Sequence, residues 1–239
     1  MKGLASAIAA LVLLATGIFP TQAFGQPETR TWPLADTSML GANQVTIAHS
    51  SFAGRDAVRV RLESDFAGGD NASLALVEGS DFRDGVIEVD IASRVDPEAW
   101  FFVRWIARGF VGISFRTSED LSQFENFYLR PLNGRVDDEE RSQHAAQYFS
   151  YPDWDFSRFR DESPGKYEAG ADIGPDEWIH VRIEVEGSVA RLFLNEGEEP
   201  VLVVDDLKLG PDQRGGIGLW VDAGTIAHFA NLKVTRSPR

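Results

Sequence analysis

The side chains best equipped for chemistry in this chain stand two residues apart. Ser114 and Arg116 alternate with Ile113 and Phe115, while Asn126, Tyr128 and Arg130 alternate with Phe127 and Leu129. Glu88 and Asp90 alternate in the same way with Ile87, Val89 and Ile91. Residues two apart on an extended strand share a face, so the apolar set seeks a core and the polar set points away from it. If these strands are neighbours in one sheet, two arginines, two carboxylates, an amide and a phenol share one surface, which Gln147 or Tyr148 extends. Guanidinium and carboxylate groups bind paired hydroxyls and an aromatic ring stacks on a sugar face, so such a surface suits a polyhydroxylated ligand. The same residues also fit a lattice of cross-strand ion pairs on a solvated sheet, each worth about 0.5 kcal/mol or less. The aromatic-rich stretch around Trp154 and Tyr167 favours the first reading, because it could wall a groove.

Other arrangements are less specific. Glu88 and Asp90 stand at a spacing that two hydrolytic carboxylates can use, roughly 5–5.5 Å apart in retaining glycosidases. The strand carries no third acid beyond them, since Ile91, Ala92 and Ser93 follow. Among the histidines, His49, His144, His180 and His228 are scattered without metal-ligand spacing, and no metal site is expected from them. His144 lies in a charged segment beside the presumed surface and is the histidine suited to act as a base; His180, next to Arg182, reads as a surface residue. Glu88, Asp90 and His144 are therefore the candidate catalytic residues. Asp65, Asp70 and Asn71 in a Gly-rich segment could hold a structural calcium ion through oxygen ligands, or simply shape a hairpin turn. No other cofactor is expected, and no serine sits in a nucleophile elbow.

The elements that must position these groups are strands. Period-two alternation recurs at Val58–Leu62, Val86–Ile91, Phe124–Arg130, Ile179–Val185 and Ala190–Leu194, with Gly-, Asn- and Asp-rich turns between the runs. The compact apolar runs Val201–Val204 and Ile217–Val221 read as strands buried on both faces. A dozen or more short strands with little helical periodicity indicate an all-β, two-sheet antiparallel sandwich of jelly-roll type. Pro97 to Ile106 breaks the rule and reads as a short helical insertion leading into a strand from Phe110 to Arg116. Two long loops, Leu132 to Ala145 and Pro152 to Glu177, are of a length that is often functional.

The composition narrows the partners. The chain has 239 residues, a formal net charge of -14 and no cysteine. Disulfides, thiolate metal sites and cysteine nucleophiles are excluded, and polyanionic partners such as nucleic acid or an anionic membrane surface are disfavoured. Lys2, the apolar run from Leu4 to Phe19 and the small-residue site ending at Ala23 have the layout of a secretory signal peptide. The expectation is a signal peptide over 1–23, a single domain over 24–239, a periplasmic or extracellular location, and no membrane insertion after cleavage.

The series Phe82–Asp90, Gly109–Arg116, Phe127–Pro131 and Gln147-Tyr148, continued by Trp178–Val185, Ala190–Leu194, Pro200–Val203 and Gly216–Leu219, resembles exported bacterial concanavalin A-like lectin/glucanase domains. It is also similar to the laminin G-like and 3-keto-disaccharide hydrolase-type domains of that superfamily. The resemblance implies a concanavalin A-like jelly roll and a saccharide or glycan ligand. It implies a carbohydrate-binding domain that uses the sheet face with Arg116, Tyr128 and Arg130; the parity reading adds Asn126, Gln147 and Tyr148, and the aromatic loop adds Trp154, as candidate ligand residues. Its second implication is an enzyme acting on a 3-keto-glycoside, with Glu88, Asp90 or His144 as base and Arg116 or Arg130 on the keto oxygen. An envelope protein-interaction module, with the flat sheet as its docking surface, is a third reading.

Overall fold

In a computed structural model, residues 26–64 and 69–238 are described; the expected signal peptide and Asp65 lie outside them. The chain runs through β1 (Glu28–Trp32), β2 (Leu40–Asn43), β3 (Val45–Phe52), β4 (Arg55–Leu62), β5 (Leu74–Val77) and β6 (Gly85–Val95) to a short helix α1 (Phe101–Ile106). Strands β7 (Val111–Thr117) and β8 (Phe124–Leu129) follow, then two single-turn helices, α2 (Pro131–Gly134) and α3 (Glu139–Ser142). Next come β9 (Ala146–Tyr151), α4 (Phe156–Glu162) and β10 (Glu168–Ala169). The chain closes with β11 (Ile179–Glu186), β12 (Val189–Leu194), β13 (Leu202–Val204), β14 (Gly216–Val221) and β15 (Thr225–Arg236).

These strands form two antiparallel sheets. The first has the order β13-β12-β11-β6-β15-β4-β3, with β1 also paired to β15; the second has the order β10-β9-β8-β7-β14-β5-β2. The sandwich expected from the strand pattern is thus present. Alternation does the sorting in the first sheet: Ile179, Val181, Ile183 and Val185 of β11 are buried while His180, Arg182 and Glu184 are half-buried on the other face. Ile87, Val89 and Ile91 join them in the core between the sheets. The run Ile217–Val221 is buried throughout, as its continuous apolar character requires, but β13 lies at an edge and leaves Val203 44% exposed.

The second sheet departs from the expected pattern of one core face and one open face. Every residue of β7 and β8 is buried. On the face away from the first sheet, Tyr128 packs on Trp220 at 5.0 Å and on Phe149 at 5.8 Å between ring centroids, and Trp220 donates its indole N–H to the Asn71 carbonyl. Aromatic packing therefore closes that face over most of its length. It opens at one end, where β8 and β14 finish and β7 begins. Three insertions crowd this end. α1 forms over the residues expected to be helical, with Val103 packed down against Gly224; a Cβ at Gly224 would meet Val103 Cγ1 at 3.0 Å, and its φ of +64° already favours glycine. Trp100, Phe101, Phe102, Trp105 and Ile106 stay exposed, Trp105 by 76%. The two long loops supply α2 and α3, and α4 with β10. Pro131 opens α2, Asp138 caps α3 and Asp155 caps α4 by accepting from the Arg158 N–H at 2.7 Å.

The parity argument fails at Arg116. Between the pairs Ser114↔Gly218 and Thr117↔Gly216, two residues of β7 face one of β14, which is a β-bulge. Arg116 sits in it with φ +54°. The extra residue turns its side chain away from the Ser114 face, into the end of the sandwich. There its guanidinium donates to the carbonyls of Arg83 (3.0 Å), Gly210 (2.8 Å) and Gly187 (2.7 Å) and to Asp84 Oδ1 (3.1 Å). It is fully buried and ties three turns together. We predict that Arg116→Met lowers stability by about 3 kcal/mol or more, because three carbonyls and Asp84 lose their buried partner. Chemical denaturation measures this; a loss under about 1 kcal/mol would contradict the assigned role.

Candidate functional site

The open end of the second sheet holds a cavity of about 640 Å3. Its floor is Phe110, Tyr128 and Arg130; Val103, Ile106 and Arg108 come from the α1 side, Asn133, Arg141 and His144 from the α2–α3 segment, and Phe156 and Arg160 from α4. Gly69, Asp70, Asp222 and Ala223 close the remaining side. Phe156 and Arg160, four apart, share one face of α4, while Phe159 between them turns into the core against Tyr148 and Tyr167.

Arg130 is the fixed point. It is 5% exposed, and its Nη2 donates to the Tyr128 hydroxyl at 2.5 Å and to Gln147 Oε1 at 2.7 Å. Nη1 donates to the His144 carbonyl at 3.2 Å and stands 3.9 Å from Glu168 Oε2. Glu168 is paired with Arg160 at 2.9 Å and lies 2.7 Å from His144 Nδ1. Three expected ligand residues, Tyr128, Arg130 and Gln147, are thus brought together, with His144 beside them. Asn126 shares their face by register but is fully buried one step inward, and neither its amide nitrogen nor its oxygen has a hydrogen-bond partner among the described residues.

Opposite Arg130 lies a pair of buried carboxyls. Asp70 accepts from the Phe156 N–H at 2.7 Å, and burial together with the neighbouring Asp222 charge pushes its pKa up to about 7, against the opposing pull of that N–H and of Arg130. Asp222 accepts from the Gly69 N–H at 3.1 and 3.0 Å and from the Ala223 N–H at 2.6 Å; burial raises its pKa as well. The groove can therefore hold a proton on a carboxyl near neutral pH, next to a fixed guanidinium. Among the described residues, no group of three or more His, Cys, Asp or Glu side chains is placed to hold a metal ion. The Asp70 side chain accepts the Phe156 N–H and the Asn71 backbone carbonyl accepts the Trp220 indole N–H.

Several expected positions are elsewhere. Glu88 and Asp90 are on β6 in the other sheet, so they never meet the β7–β8 surface. Glu88 pairs with Lys233, and Asp90 accepts from Arg55, Asn231 and the His180 ring; they belong to the ion-pair lattice of the first sheet. Tyr148, adjacent to Gln147, has the opposite parity. Its hydroxyl donates to buried Glu125 at 2.5 Å, inside the sandwich. Trp154 stacks on Phe159 at 5.5 Å in a small aromatic cluster that seals the sandwich edge, so it is not a groove wall. Its neighbour Phe156 takes that place. Sequence reasoning missed Asp222, Arg108, Asn133, Arg141, Phe156 and Arg160. Arg108 carried a signal, since no acidic residue occurs from Ala99 to Thr117. Arg141 and Arg160 are masked by acidic neighbours in the charged loops, and Asp222 ends an apolar run with nothing to set it apart.

Comparison with known proteins rests on structure. The carbohydrate-binding module CBM66 from Bacillus subtilis superposes with a TM-score of 0.51 at 17% identity, covering 81% of this chain and 97% of its own. The fold is that of a concanavalin A-like jelly roll. A Bacillus subtilis protein of unknown function with a galectin-like fold gives a TM-score of 0.52 at 15% identity over 90% of this chain and 98% of that one. A prokaryotic β-1,3-1,4-glucanase (lichenase) derived from a mouse hindgut metagenome gives 0.50 at 10% identity, covering 87% and 99%. No family model matches the chain, and no curated protein matches its sequence.

The raised Asp70 pKa has a thermodynamic consequence. The folded state holds this proton up to about pH 7, while the unfolded chain releases it near the ordinary aspartate value of 3.8. Between those values the folded state binds more protons, so this group makes stability fall as pH rises, by up to about 4 kcal/mol across the window. Asp70→Asn should flatten the stability–pH curve between about pH 4 and 7, read by urea unfolding at a series of pH values. A variant with the slope of the parent would show that Asp70 ionises normally.

Proposed function

We propose that this chain is an exported carbohydrate-binding domain whose saccharide lies in the Arg130 groove. The observation that carries the reading is the groove floor itself. A guanidinium held by Tyr128, Gln147 and the His144 carbonyl is flanked by the half-buried rings of Phe110 and Phe156, with the Asn133 and Asp70 side chains in reach. Fixed polar groups set between aromatic faces are what a sugar ring needs, because its hydroxyl rim wants directional partners and its C–H face wants apolar cover. The cavity volume falls within the range of small-ligand sites. The reading is supported by the company the fold keeps, a carbohydrate-binding module and a β-1,3-1,4-glucanase. The signal-peptide layout of residues 1–23 supports export to the periplasm or beyond, where glycans are accessible.

One observation favours a second reading, a glycoside-processing enzyme of the 3-keto-disaccharide hydrolase type. Asp70, with a pKa of about 7, and His144, 2.7 Å from Glu168, both line the groove and could exchange a proton with a bound sugar. Incubation with ordinary and 3-keto disaccharides, with and without chelator, separates the two readings: released sugar supports the enzyme, and no turnover leaves binding. For binding, calorimetry across a glycan panel should find a ligand whose affinity drops about tenfold in Phe156→Ala and further in Arg130→Gln, while Glu88→Gln leaves it unchanged. A ligand insensitive to both groove variants would place the saccharide elsewhere.

A further inference from the structure

The groove arginines fall into two classes, and this division, taken together with the saccharide reading, indicates which saccharide. Arg130 and Arg160 share one carboxylate, Glu168. Arg108 and Arg141 are not. Arg108 spends Nη1 on the carbonyls of Trp105 (3.0 Å) and Ala107 (2.8 Å), and Arg141 donates from Nη2 to Asn133 Oδ1 at 3.2 Å. Among the described residues, neither makes an ion pair with a carboxylate, and the buried Arg141 Nε has no hydrogen-bond partner.

A second cavity of about 630 Å3, near the chain ends, shows what a structural arginine cluster looks like in this protein. There Arg83 is paired with Asp84, Arg214 with Asp81, and Arg236 with Glu28 at 2.7 Å. Every arginine of that cluster has an acid. Among the described residues Arg30, Arg59, Arg104 and Arg191 also make no ion pair, so what sets Arg108 and Arg141 apart is that two such arginines line one cavity.

Burial pulls the Arg108 pKa down, and the charges of Arg141 and Arg130 pull it down further, so the three guanidiniums feel one another across the groove. Asp70 and Asp222 act on Arg130 but are themselves held by backbone N–H groups. Asp138 accepts the Arg141 backbone N–H, and Glu139 and Glu140 precede Arg141 in α3, yet among the described residues none of them makes an ion pair with the Arg141 or Arg108 guanidinium. An anion between Arg108 and Arg141 would supply the missing counter-charge. The planar guanidinium fork matches a carboxylate.

We propose that Arg108 and Arg141 form a carboxylate subsite, and that the saccharide this groove takes carries a uronic acid. The aromatic floor packs the ring, Arg130 orients its hydroxyls, and the two unpaired arginines take its carboxylate.

Calorimetry on the mature chain with oligogalacturonate and with the same oligomer methyl-esterified tests this directly, because esterification removes the carboxylate charge and keeps the sugar chain. The free acid should bind at least tenfold more tightly, with an affinity that falls as salt is raised. In Arg108→Gln and Arg141→Gln the acid should weaken towards the affinity of the ester, with thermal melting confirming that the variants are folded. Equal affinity for acid and ester, or variants that keep the discrimination, would overturn the proposal. So would a neutral glycan that binds while uronate oligomers do not, an outcome that leaves the saccharide reading standing. A sulfated oligosaccharide bound in place of the uronate would overturn the carboxylate assignment. Failure of every glycan to bind would remove both. If a variant does not fold, the acid–ester comparison on the parent chain still decides.

Discussion

The buried guanidinium of Arg130 is the interaction on which the grooved end of this molecule depends. It sits where β8 stops, and its hydrogen bonds reach back along its own strand to Tyr128, across to Gln147 on β9 and out to the carbonyl of His144. Through Glu168 it is linked to β10 and to Arg160 on α4. One charged group thus registers a strand end, its neighbour and two inserted loops against each other. A charge this deep is tolerated only because partners surround it, and removing one partner would leave the rest exposed to the desolvation cost. The geometry also explains why the groove is at this end. Elsewhere on the same face Tyr128, Phe149 and Trp220 fill the space with each other.

The molecule uses its two fully buried arginine networks for opposite purposes. Arg116 satisfies carbonyls of three turns and leaves nothing to offer a ligand. Arg130 is equally constrained but stands at the edge of a cavity, so the same rigidity becomes preorganisation. With regular pairing Arg116 would have shared a face with Ser114; the bulge against Ile217 turns it off that face, at the end of β7 opposite the groove.

How far the sequence could be read follows from these physical causes. Period-two alternation is a local signal, and it marks β4, β6, β8, β11 and β12, with compact apolar runs marking β13 and β14; it does not single out β1, β2, β3, β5, β10 or the long β15. Parity within a strand correctly put Tyr128 and Arg130 on one face, with Gln147 opposite Tyr128 in the register. It could not say which strands share a sheet, so Glu88 and Asp90 were grouped with residues of the opposite layer. Nor could it see a bulge, because two residues facing one is a property of the pair. Phe156 and Trp154 are of equal standing as sequence; only the turn of α4 decides which one meets the groove and which one the core. Arg108 and Arg141 became visible as a pair only when the fold brought α1 and the α2–α3 segment to the same rim.

What emerges is an acidic jelly roll with one locally basic, aromatic-floored groove built from its insertions. The most direct test of that account is a crystal structure of the mature chain with a bound uronate oligosaccharide. The account predicts the sugar ring against Phe110 and Phe156, with its carboxylate between Arg108 and Arg141 and its hydroxyls towards Arg130. A sugar seated on the β6–β11 face near Glu88 and Asp90, or at the chain-end cavity beside Arg214 and Arg236, would contradict it.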